Sequence, residues 1–354
     1  MAQLFDSFAL RGVTFKNRIG VAPMCQYSAT ERGLATDWHL AHLGTRAVGG
    51  AGLVIAEATA VEARGRISVR DLGLWDDAQI EPLARIARFV EAQGAVAGIQ
   101  IAHAGRKAAM PVPWLGGGPL ARDQGGWPVV GPSALGFSAA FAVPSELSVH
   151  DLAEVRAAFV SAAQRARKAG FRLLELHGAH GYLLHSFLSP LSNTRVDAYG
   201  GSFDNRIRFV LEVVQAVREH WPSDRVLALR VSATDWLAGG WTGEETVELA
   251  KRLVQAGVDL VDCSSGGSSP LANVPLEPGY QVGFARDVKH GAQVATAAVG
   301  LITEPSHADE IVRTGAADFV LLGRELLRNP YWPLSAAVAL KRSASVPPAY
   351  QRAF

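Results

Sequence analysis

The chain has 354 residues, and its 34 basic and 33 acidic side chains leave a formal net charge of +1. It has no run of Lys and Arg of the kind that follows a phosphate backbone or an anionic membrane, which argues against nucleic acid and membranes as partners. Its two cysteines, Cys25 and Cys263, are too few for a disulfide framework and are not spaced for zinc. With no secretory leader or membrane-spanning stretch, we expect a cytoplasmic protein with reduced thiols.

Eight apolar runs alternate with amphipathic stretches of helical period along the chain. The runs are predicted as buried parallel strands over residues 18–24, 51–58, 96–102, 172–177, 226–231, 259–263, 293–298 and 318–322. This alternation is typical of βα units, and eight units predict a (β/α)8 TIM barrel formed by residues 1–354 as a single domain. An open, doubly wound sheet is the alternative, but its GxGxxG signature after a strand is missing.

Helix ends and one long loop punctuate these units. Ser148 and Ser202 are predicted to cap helices, and Thr242 with Glu245 forms a capping box. Residues 105–147, between strand 3 and helix 3, are rich in Gly and Pro, as in "PVPWLGGGPLARDQGGWPVVGPS". They predict an excursion over the carboxyl-terminal face of the barrel that forms a lid or a pocket wall.

The last positions of the predicted strands, and the residues just after them, are mostly polar or small. In a (β/α)8 barrel these positions meet at one face, where catalytic groups lie. They comprise Pro23, Met24, Cys25, Ala58, Gln100, His103, His177, Arg230, Cys263, Gly300, Gly323 and Arg324. The loops after strands seven and eight, "AVGLIT" and "LLGRELL", are typical of a phosphate site with a short extra helix, to which Arg324 adds a charged contact.

The fourth strand leads into "LELHGAHGYLLHSFLSP", in which His177 and His180 stand three residues apart with Tyr182 just beyond. Buried imidazole and phenol groups need hydrogen-bond partners. The residues alone leave three interpretations open: structural histidines, ligands of a divalent metal, or groups that bind a substrate. No metal site is predicted, because no carboxylate or third histidine lies at helical spacing.

Structural alternatives exist for the other polar strand ends as well. A buried Arg230 needs an anion, and Asp262 or Glu175 on a neighbouring strand is the structural candidate. Gln100 could merely satisfy the edge of the sheet, and Cys25 could pack as a small buried hydrophobe.

Five segments together resemble one known family: "NRIGVAPMCQYSA", "GIQIAHAGRKA", "ELHGAHGYLLHSFLSPLSNTRVDAYGGSFDNR", "LALRVSATDW" and "LLGRELLRNP". They are similar to the old yellow enzyme family of FMN-dependent ene reductases, in particular to its thermophilic-like subgroup and the xenobiotic reductases within it. The similarity runs nearly end to end, and the long histidine segment is its most specific part.

The resemblance implies FMN bound across the barrel mouth, with NAD(P)H as co-substrate and NADPH favoured. Gln100 would bond to the pyrimidine edge of the flavin, and Arg230 would lie near N1, where negative charge collects on reduction. The residues implied in FMN binding are Ala22, Pro23, Met24, Cys25, Ala58, Gln100, Arg230, Gly300, Gly323 and Arg324.

The same resemblance implies a reaction, the reduction of the activated C=C bond of an enone or enal by ping-pong hydride transfer through flavin N5. His177 and His180 would donate hydrogen bonds to the substrate carbonyl, and Tyr182 would protonate the α carbon. Cys25 would tune the flavin, and Tyr27 would hydrogen-bond the substrate.

The tail of about residues 343–354 contains Arg352, which the resemblance implies in the substrate site of a neighbouring subunit. This predicts a homodimer or a higher even-numbered homo-oligomer. The possible site residues that are left without a role are Trp114, Trp127, His103 and Lys107.

Two other functions stay open at this point. A colourless phosphate-binding barrel lyase or isomerase would use the same loops after strands seven and eight, but its usual Schiff-base lysine is missing from the eight strand ends. A non-catalytic flavin-binding protein would bind FMN without rapid reduction by NAD(P)H.

Overall fold

The structure is a computed structural model that describes residues 2–353. Its centre is a closed barrel of eight parallel strands, each of which overlaps one of the predicted apolar runs. The strands are β1 (Ile19–Val21), β2 (Leu53–Ala60), β3 (Val96–Ala102), β4 (Leu173–Gly178), β5 (Val226–Ser232), β6 (Leu260–Ser264), β7 (Ala295–Ala298) and β8 (Phe319–Leu322). Because β8 pairs with β1, the sheet is closed. The predicted barrel is therefore confirmed, and the alternative of an open, doubly wound sheet is wrong.

Helices follow the strands around the outside of the barrel. The main helices are α1 (Asp37–Val48), α2 (Ile80–Ala92), α3 (Val149–Lys168), α4 (Phe203–His220), α5 (Gly243–Gln255), α6 (Val282–Ala292), α7 (Pro305–Arg313) and α8 (Trp332–Ala339). The side chains of Ser148, Ser202 and Thr242 each accept a hydrogen bond from the N–H three residues on, which confirms the predicted caps. Two shorter helices, Leu183–Leu188 and Arg324–Arg328, follow β4 and β8, and the second is the expected extra helix. Within residues 2–353, no helix is both long and apolar enough to cross a membrane.

Alternate residues of each strand face opposite sides of the barrel wall, so the apolar residues divide into two clusters. One cluster joins the outer helices to outward-facing strand residues such as Val54 and Leu174. The other fills the barrel with inward-facing residues such as Leu53 and Leu173, together with residues of an N-terminal hairpin. The wall is therefore packed on both sides, which fixes the positions of the strand ends.

The N-terminal hairpin, formed by Phe8–Leu10 and Val13–Phe15, closes the amino-terminal end of the barrel. The rings of Phe15 and Phe319 meet edge to face with their centroids 4.8 Å apart, and Phe8 packs on Phe319 at 5.2 Å. These rings occupy the amino-terminal half of the interior with apolar atoms. Polar groups inside the barrel gather at the carboxyl-terminal half.

The predicted excursion over residues 105–147 leaves the barrel after β3. Arg195, from the "SNTRVDAYGG" segment, fastens its far end by donating to the backbone carbonyls of Pro132 at 3.1 Å and Leu147 at 2.6 Å. This part of the family-specific segment therefore has a structural role. The excursion contains the 3₁₀ turns Gly105–Lys107, Pro113–Leu115 and Arg122–Gln124 and the paired strands Val130–Gly131 and Ser145–Glu146. The other 3₁₀ turns are Ala63–Gly65, Asp77–Gln79 and Pro348–Ala353.

Candidate active site

A layer of polar side chains, which we call the floor, lies inside the barrel above the apolar filling. It consists of Gln100 on β3, Glu175 on β4, Arg230 on β5 and Asp262 on β6, each at most 7% exposed. Gln100 Nε2 donates to Glu175 Oε1 at 2.7 Å. The Arg230 guanidinium forms an ion pair with Asp262, with 3.1 Å between Nε and Oδ2. Of the two carboxyls expected near Arg230, Asp262 is thus its close partner.

A cavity of about 290 Å³ opens beside the floor, at the ends of the last barrel strands. Four residues predicted to bind FMN line it together: Arg230, Gly300, Gly323 and Arg324. Gly300 has a φ of 128°, and a Cβ there would lie 3.0 Å from Gln281 Nε2, so a side chain would be both strained and crowded. The structure therefore brings the residues expected to bind the phosphate together in one positively charged cavity.

The histidine loop, residues 177–182, lies at the end of β4 on the same face. The ring of His177 meets the rings of His180 and Tyr182 edge to face, with centroid distances of 5.2 and 4.9 Å. Burial, and after it the charge of Arg230, lowers the pKa of both imidazoles well below its usual value. Both rings are therefore neutral at neutral pH, and each carries one N–H.

Hydrogen bonds limit where these two protons lie. His177 Nδ1 accepts the N–H of Ala179 at 3.3 Å, so its own proton is on Nε2. His180 Nε2 lies 2.7 Å from Ser264 Oγ. If Ser264 donates this bond, His180 carries its proton on Nδ1 and both rings have a free N–H, whereas the opposite direction leaves Nδ1 as an acceptor.

The backbone of His180 has a φ of 59°, a left-handed conformation that residues with large side chains rarely adopt. Its N–H donates to Ser232 Oγ at 2.9 Å, and its carbonyl accepts from Lys107 Nζ at 2.9 Å. The next N–H, of Gly181, donates to His185 Nδ1 at 2.9 Å. These three bonds hold the strained residue in place, so the direction of its ring is fixed by the fold.

A buried pair behind the histidine loop escaped the sequence analysis. His185 and Asp235 are both 0% exposed, with His185 Nε2 3.1 Å from Asp235 Oδ1. The other oxygen of Asp235 accepts from Ser189 Oγ at 2.5 Å and from the N–H of Trp241 at 2.8 Å. Although burial opposes it, the attraction of His185 and these bonds lower the pKa of Asp235. Because His185 also holds Gly181, the pair positions the histidine loop.

Lys107, which the sequence left without a role, contacts the histidine loop, the backbone at Gly267 and the ring of Tyr182. Its Nζ donates to the carbonyls of His180 at 2.9 Å and Gly267 at 3.0 Å. It also lies 5.3 Å from the centre of the Tyr182 ring. Burial, followed by the charge of Arg106, lowers the pKa of Lys107 to about 8. Burial raises the pKa of the Tyr182 phenol well above its usual value, so the phenol stays protonated.

Cys25 and Tyr27 lie in the loop after β1. The N–H of Gln26, between them, donates to Glu57 Oε1 at 3.0 Å, so a buried carboxyl of β2 fixes this loop. Burial raises the pKa of the Cys25 thiol well above its usual value, and Asp71 and Glu57 raise it further. Cys25 is therefore a neutral thiol, which is a poor nucleophile.

The two tryptophans of the excursion have different surroundings. Trp114 is 66% exposed, and its ring lies edge to face with Tyr27 at a centroid distance of 6.1 Å. Trp127 Nε1 donates to the carbonyl of Arg64 at 2.8 Å, which packs the excursion onto the loop after β2. Trp114 thus belongs to the rim of the site, and Trp127 supports the excursion.

Two further candidate residues have other surroundings. His103 Nε2 lies 2.8 Å from Glu62 Oε1 and its Nδ1 accepts from Gly105 at 3.0 Å, so both ring nitrogens are used locally. Arg352 is exposed in the turn Pro348–Ala353, and its entry into a neighbouring site stays a prediction. Among residues 2–353, no three His, Cys, Asp or Glu side chains are grouped so as to hold a metal ion.

The sequence model of the NADH:flavin oxidoreductase / NADH oxidase family matches residues 3–342. The chain belongs to this family. A family relative, the NADPH dehydrogenase of Geobacillus sp. (strain WCH70), is 49% identical over 350 residues, which cover 99% of this chain and 98% of the relative. The NADPH dehydrogenase of Listeria innocua serovar 6a is 47% identical over 357 residues and is covered completely, as is this chain.

Solved structures extend the family relation. Morphinone reductase in complex with tetrahydroNAD has a TM-score of 0.80 and 27% identity, over 99% of this chain and 94% of that one. 2-Naphthoyl-CoA reductase has a TM-score of 0.87 and 27% identity over 96% of this chain, which spans about half (52%) of that protein. The expected relation to the old yellow enzymes is confirmed, and the chain is an FMN-dependent oxidoreductase.

The donor set of this family member fits FMN. Arg230 and Arg324 present positive charge to the cavity, as a phosphate and a reduced pyrimidine ring require. The side-chain carbonyl of Gln100 is left as an acceptor for a ring N–H, because its amide N–H is bound to Glu175. Both features give the mouth polar groups that a flavin and its phosphate can bind.

Proposed function

We propose that this chain is an ene reductase that uses NADPH to reduce the activated C=C bond of enones and enals. The observation that carries the proposal is the contact of His177 with both His180 and Tyr182 at the barrel mouth. At this spacing, two imidazoles can bind the carbonyl oxygen of a substrate while a phenol donates a proton to the polarised double bond next to it. The names of the NADPH dehydrogenases support NADPH as the reductant.

FMN, when bound, would supply the redox chemistry that carries a hydride from NADPH to the β carbon of the substrate. Arg230 provides the positive charge for the pyrimidine edge, and Arg324 provides that for the phosphate. The residues that would hold FMN are Ala22, Pro23, Met24, Cys25, Ala58, Gln100, Arg230, Gly300, Gly323 and Arg324.

His177 and His180 would bind the carbonyl oxygen of the substrate. Negative charge builds up on this oxygen as the β carbon is reduced, so two N–H donors stabilise the transition state more than the ground state. Their lowered pKa values favour this role, because a neutral imidazole can donate a hydrogen bond without giving up its proton. Tyr27 would add a further hydrogen bond to the substrate.

Tyr182 would donate the proton that the α carbon needs. Its raised pKa keeps the phenol protonated until the substrate requires the proton. The ammonium group of Lys107, 5.3 Å from the ring centre, would stabilise the phenolate that forms. The phenol then recovers a proton from solvent before the next turnover.

Anaerobic stopped-flow kinetics tests the role of His177. In His177→Ala, reoxidation of the reduced flavin by 2-cyclohexenone should slow by about 10²–10³-fold, as for the loss of an oxyanion donor, while FMN stays bound. His220→Ala, a change at an exposed histidine, is the matched control and should behave as the wild type. Unchanged reoxidation in His177→Ala would refute the proposal.

The same experiment separates Tyr182 from a binding role. Tyr182→Phe should slow reoxidation by the enone by about 10²-fold or more, as for loss of a general acid, and should slow reduction by NADPH less. Tyr199→Phe is the control, because it removes a phenol O–H that also forms a hydrogen bond, in this case to Glu212 at 3.3 Å. Equal slowing of both half-reactions would remove Tyr182 as the proton donor.

We also propose that Arg352 completes the substrate site of a second copy in a homodimer or a higher even-numbered oligomer. The exposure of its turn supports such a contact. Arg352→Ala should raise the KM for the enone, and light scattering should give an even-numbered assembly. Arg342→Ala, at an exposed position near the end of α8, is the control. A monomer, or an unchanged KM, would overturn this part of the proposal.

A further inference from the structure

The floor holds more negative than positive charge. Glu175 and Asp262 are buried carboxyls, and Arg230 is the one cation of the floor. With both carboxyls ionised, the layer would carry a net negative charge in a site that FMN would cover. A buried charge without a partner is costly, so one of the two carboxyls should hold a proton.

The contacts point to Glu175 as the carboxyl that holds this proton. Asp262 has the guanidinium of Arg230 at 3.1 Å, whereas Glu175 has only the neutral amide of Gln100, at 2.7 Å. The second oxygen of Glu175 and both oxygens of Asp262 have no hydrogen-bond partner among residues 2–353, so the ion pair with Arg230 is the contact that distinguishes the two carboxyls. Burial, and after it the charge of Asp262, raises the pKa of Glu175 to about 8, and Arg230 and Gln100 offset this only in part.

The groups that face Glu175 are few. β3 contributes Gln100, β5 contributes Arg230 and β6 contributes Asp262, while His177 on the same strand is neutral. When a bound flavin is reduced, the negative charge on its ring would compete with both carboxyls for the positive charge of Arg230. The ionised form of Glu175 then becomes still less favourable.

We propose that Glu175 is a proton-holding positioning residue that couples proton uptake to the reduction of FMN bound above the floor. The inference rests on the proposed placement of FMN over Gln100 and Arg230. When Glu175 is already protonated, oxidised FMN takes up two electrons and one proton to give the anionic reduced flavin. When Glu175 is ionised, the same two electrons bring in two protons, one to the flavin and one to the carboxylate.

This coupling keeps Arg230 available to the flavin. With Glu175 protonated, the guanidinium has one buried counter-charge and can stabilise the reduced pyrimidine ring. The protonated side chain also keeps the floor close to neutral in the oxidised protein. Glu175 touches neither substrate nor flavin in this account and acts through Gln100 and Arg230.

Spectroelectrochemical titration of the holoenzyme with redox mediators, from pH 6 to pH 10, tests the inference. The wild type should change from one proton to two protons per two electrons as the pH passes about 8. Glu175→Gln should stay at one proton over this range. Glu212→Gln, a change at a partly buried carboxyl of α4, is the matched control and should follow the wild type.

Each outcome decides between named alternatives. One proton at every pH in the wild type overturns the inference, even where Glu175→Gln fails to fold. A change that persists in Glu175→Gln assigns the second proton elsewhere, with Glu57 and Lys107, whose pKa values are also about 8, as the sources. Protein that binds no FMN contradicts the proposed function as well, whereas flavin reduced with one proton throughout contradicts the inference alone.

Discussion

The two ends of the barrel interior are formed by the same strands but by opposite kinds of side chain. At the amino-terminal end, Phe15 and Phe319 pack with the apolar residues of the hairpin. At the carboxyl-terminal end, buried polar side chains form the floor, and Glu175 Oε2 has no hydrogen-bond partner among the described residues. Burying polar side chains costs stability, so the polar layer at this end marks where the molecule binds a ligand.

The largest effect on stability is expected at the apolar end. Phe319→Ala removes a ring that packs against both Phe15 and Phe8, so the free energy of unfolding should fall by about 3–5 kcal/mol. The kcat for enone reduction by the folded fraction should stay within about twofold, because no polar group of the mouth is changed. Urea unfolding and steady-state kinetics measure the two quantities.

Phe89→Ala, at a ring that is 39% exposed, is the control for this loss. A large fall in kcat with little change in unfolding would contradict the separation of the two ends.

A change at the mouth should reverse the balance between stability and activity. Asp235→Asn removes the charge that faces His185 and loosens the histidine loop, so kcat for the enone should fall by about 10- to 100-fold with FMN still bound. The unfolding free energy should fall by only about 1–3 kcal/mol. Asp37→Asn, at an exposed ion pair with Arg85, should change neither quantity. If kcat stays constant while stability falls, the pair is structural only.

Buried titratable groups determine how stability should depend on pH. Burial raises the pKa of Glu57 to about 8 and that of Asp71 to about 6, so the folded form keeps protons that the unfolded chain has released. Stability therefore falls as pH rises towards these values. Burial lowers the pKa of His39 to about 4 and of His42 to about 3, which adds stability as pH rises, but only up to about 6.5.

Between pH 6.5 and 8, the loss of stability caused by Glu57 is thus no longer offset by a gain from His39 and His42. We expect the unfolding free energy to fall by about 1 kcal/mol per pH unit for this group. Urea titrations at several pH values measure the slope, and Glu57→Gln should make it shallower. An unfolding free energy that rises with pH between 6.5 and 8 would contradict the raised pKa of Glu57.

The smallest effect concerns the direction of a single hydrogen bond. Ser264→Ala removes the partner of His180 Nε2, so no hydrogen bond at this nitrogen selects the tautomer of the imidazole. The kcat/KM for the enone should fall by about three- to tenfold, the worth of one hydrogen bond. Ser265→Ala, which loses a bond to Gln281, is the control. An unchanged kcat/KM would show that His180 donates through either tautomer.

The parts that the sequence predicted share a physical reason. Apolar runs reveal the strands because each strand is buried on both sides, and parallel strands bring their carboxyl ends to one face. These two rules are enough to place His177, Arg230 and Arg324 at the same mouth. The capping residues Ser148 and Thr242 followed from local hydrogen bonding, which short sequence patterns record well.

The parts that the sequence did not predict depend on contacts between distant loops. His185 stood in the quoted histidine segment, but its partner Asp235 lies after β5, and only the path of both loops brings them together. The left-handed backbone of His180 likewise follows from bonds to Ser232 and Lys107, which come from two other strand ends. A pattern along the chain shows which residues reach the mouth, and not which atoms meet there.

The hairpin at the amino-terminal end has a consequence for the order of events in catalysis. It blocks that end of the cylinder, so reactants enter and products depart through the opposite rim. In the proposed reaction, NADPH and the enone would bind in turn to the same space above the flavin, so an excess of either would compete with the other. We expect inhibition by high concentrations of either reactant, and its relief when the other is raised in proportion.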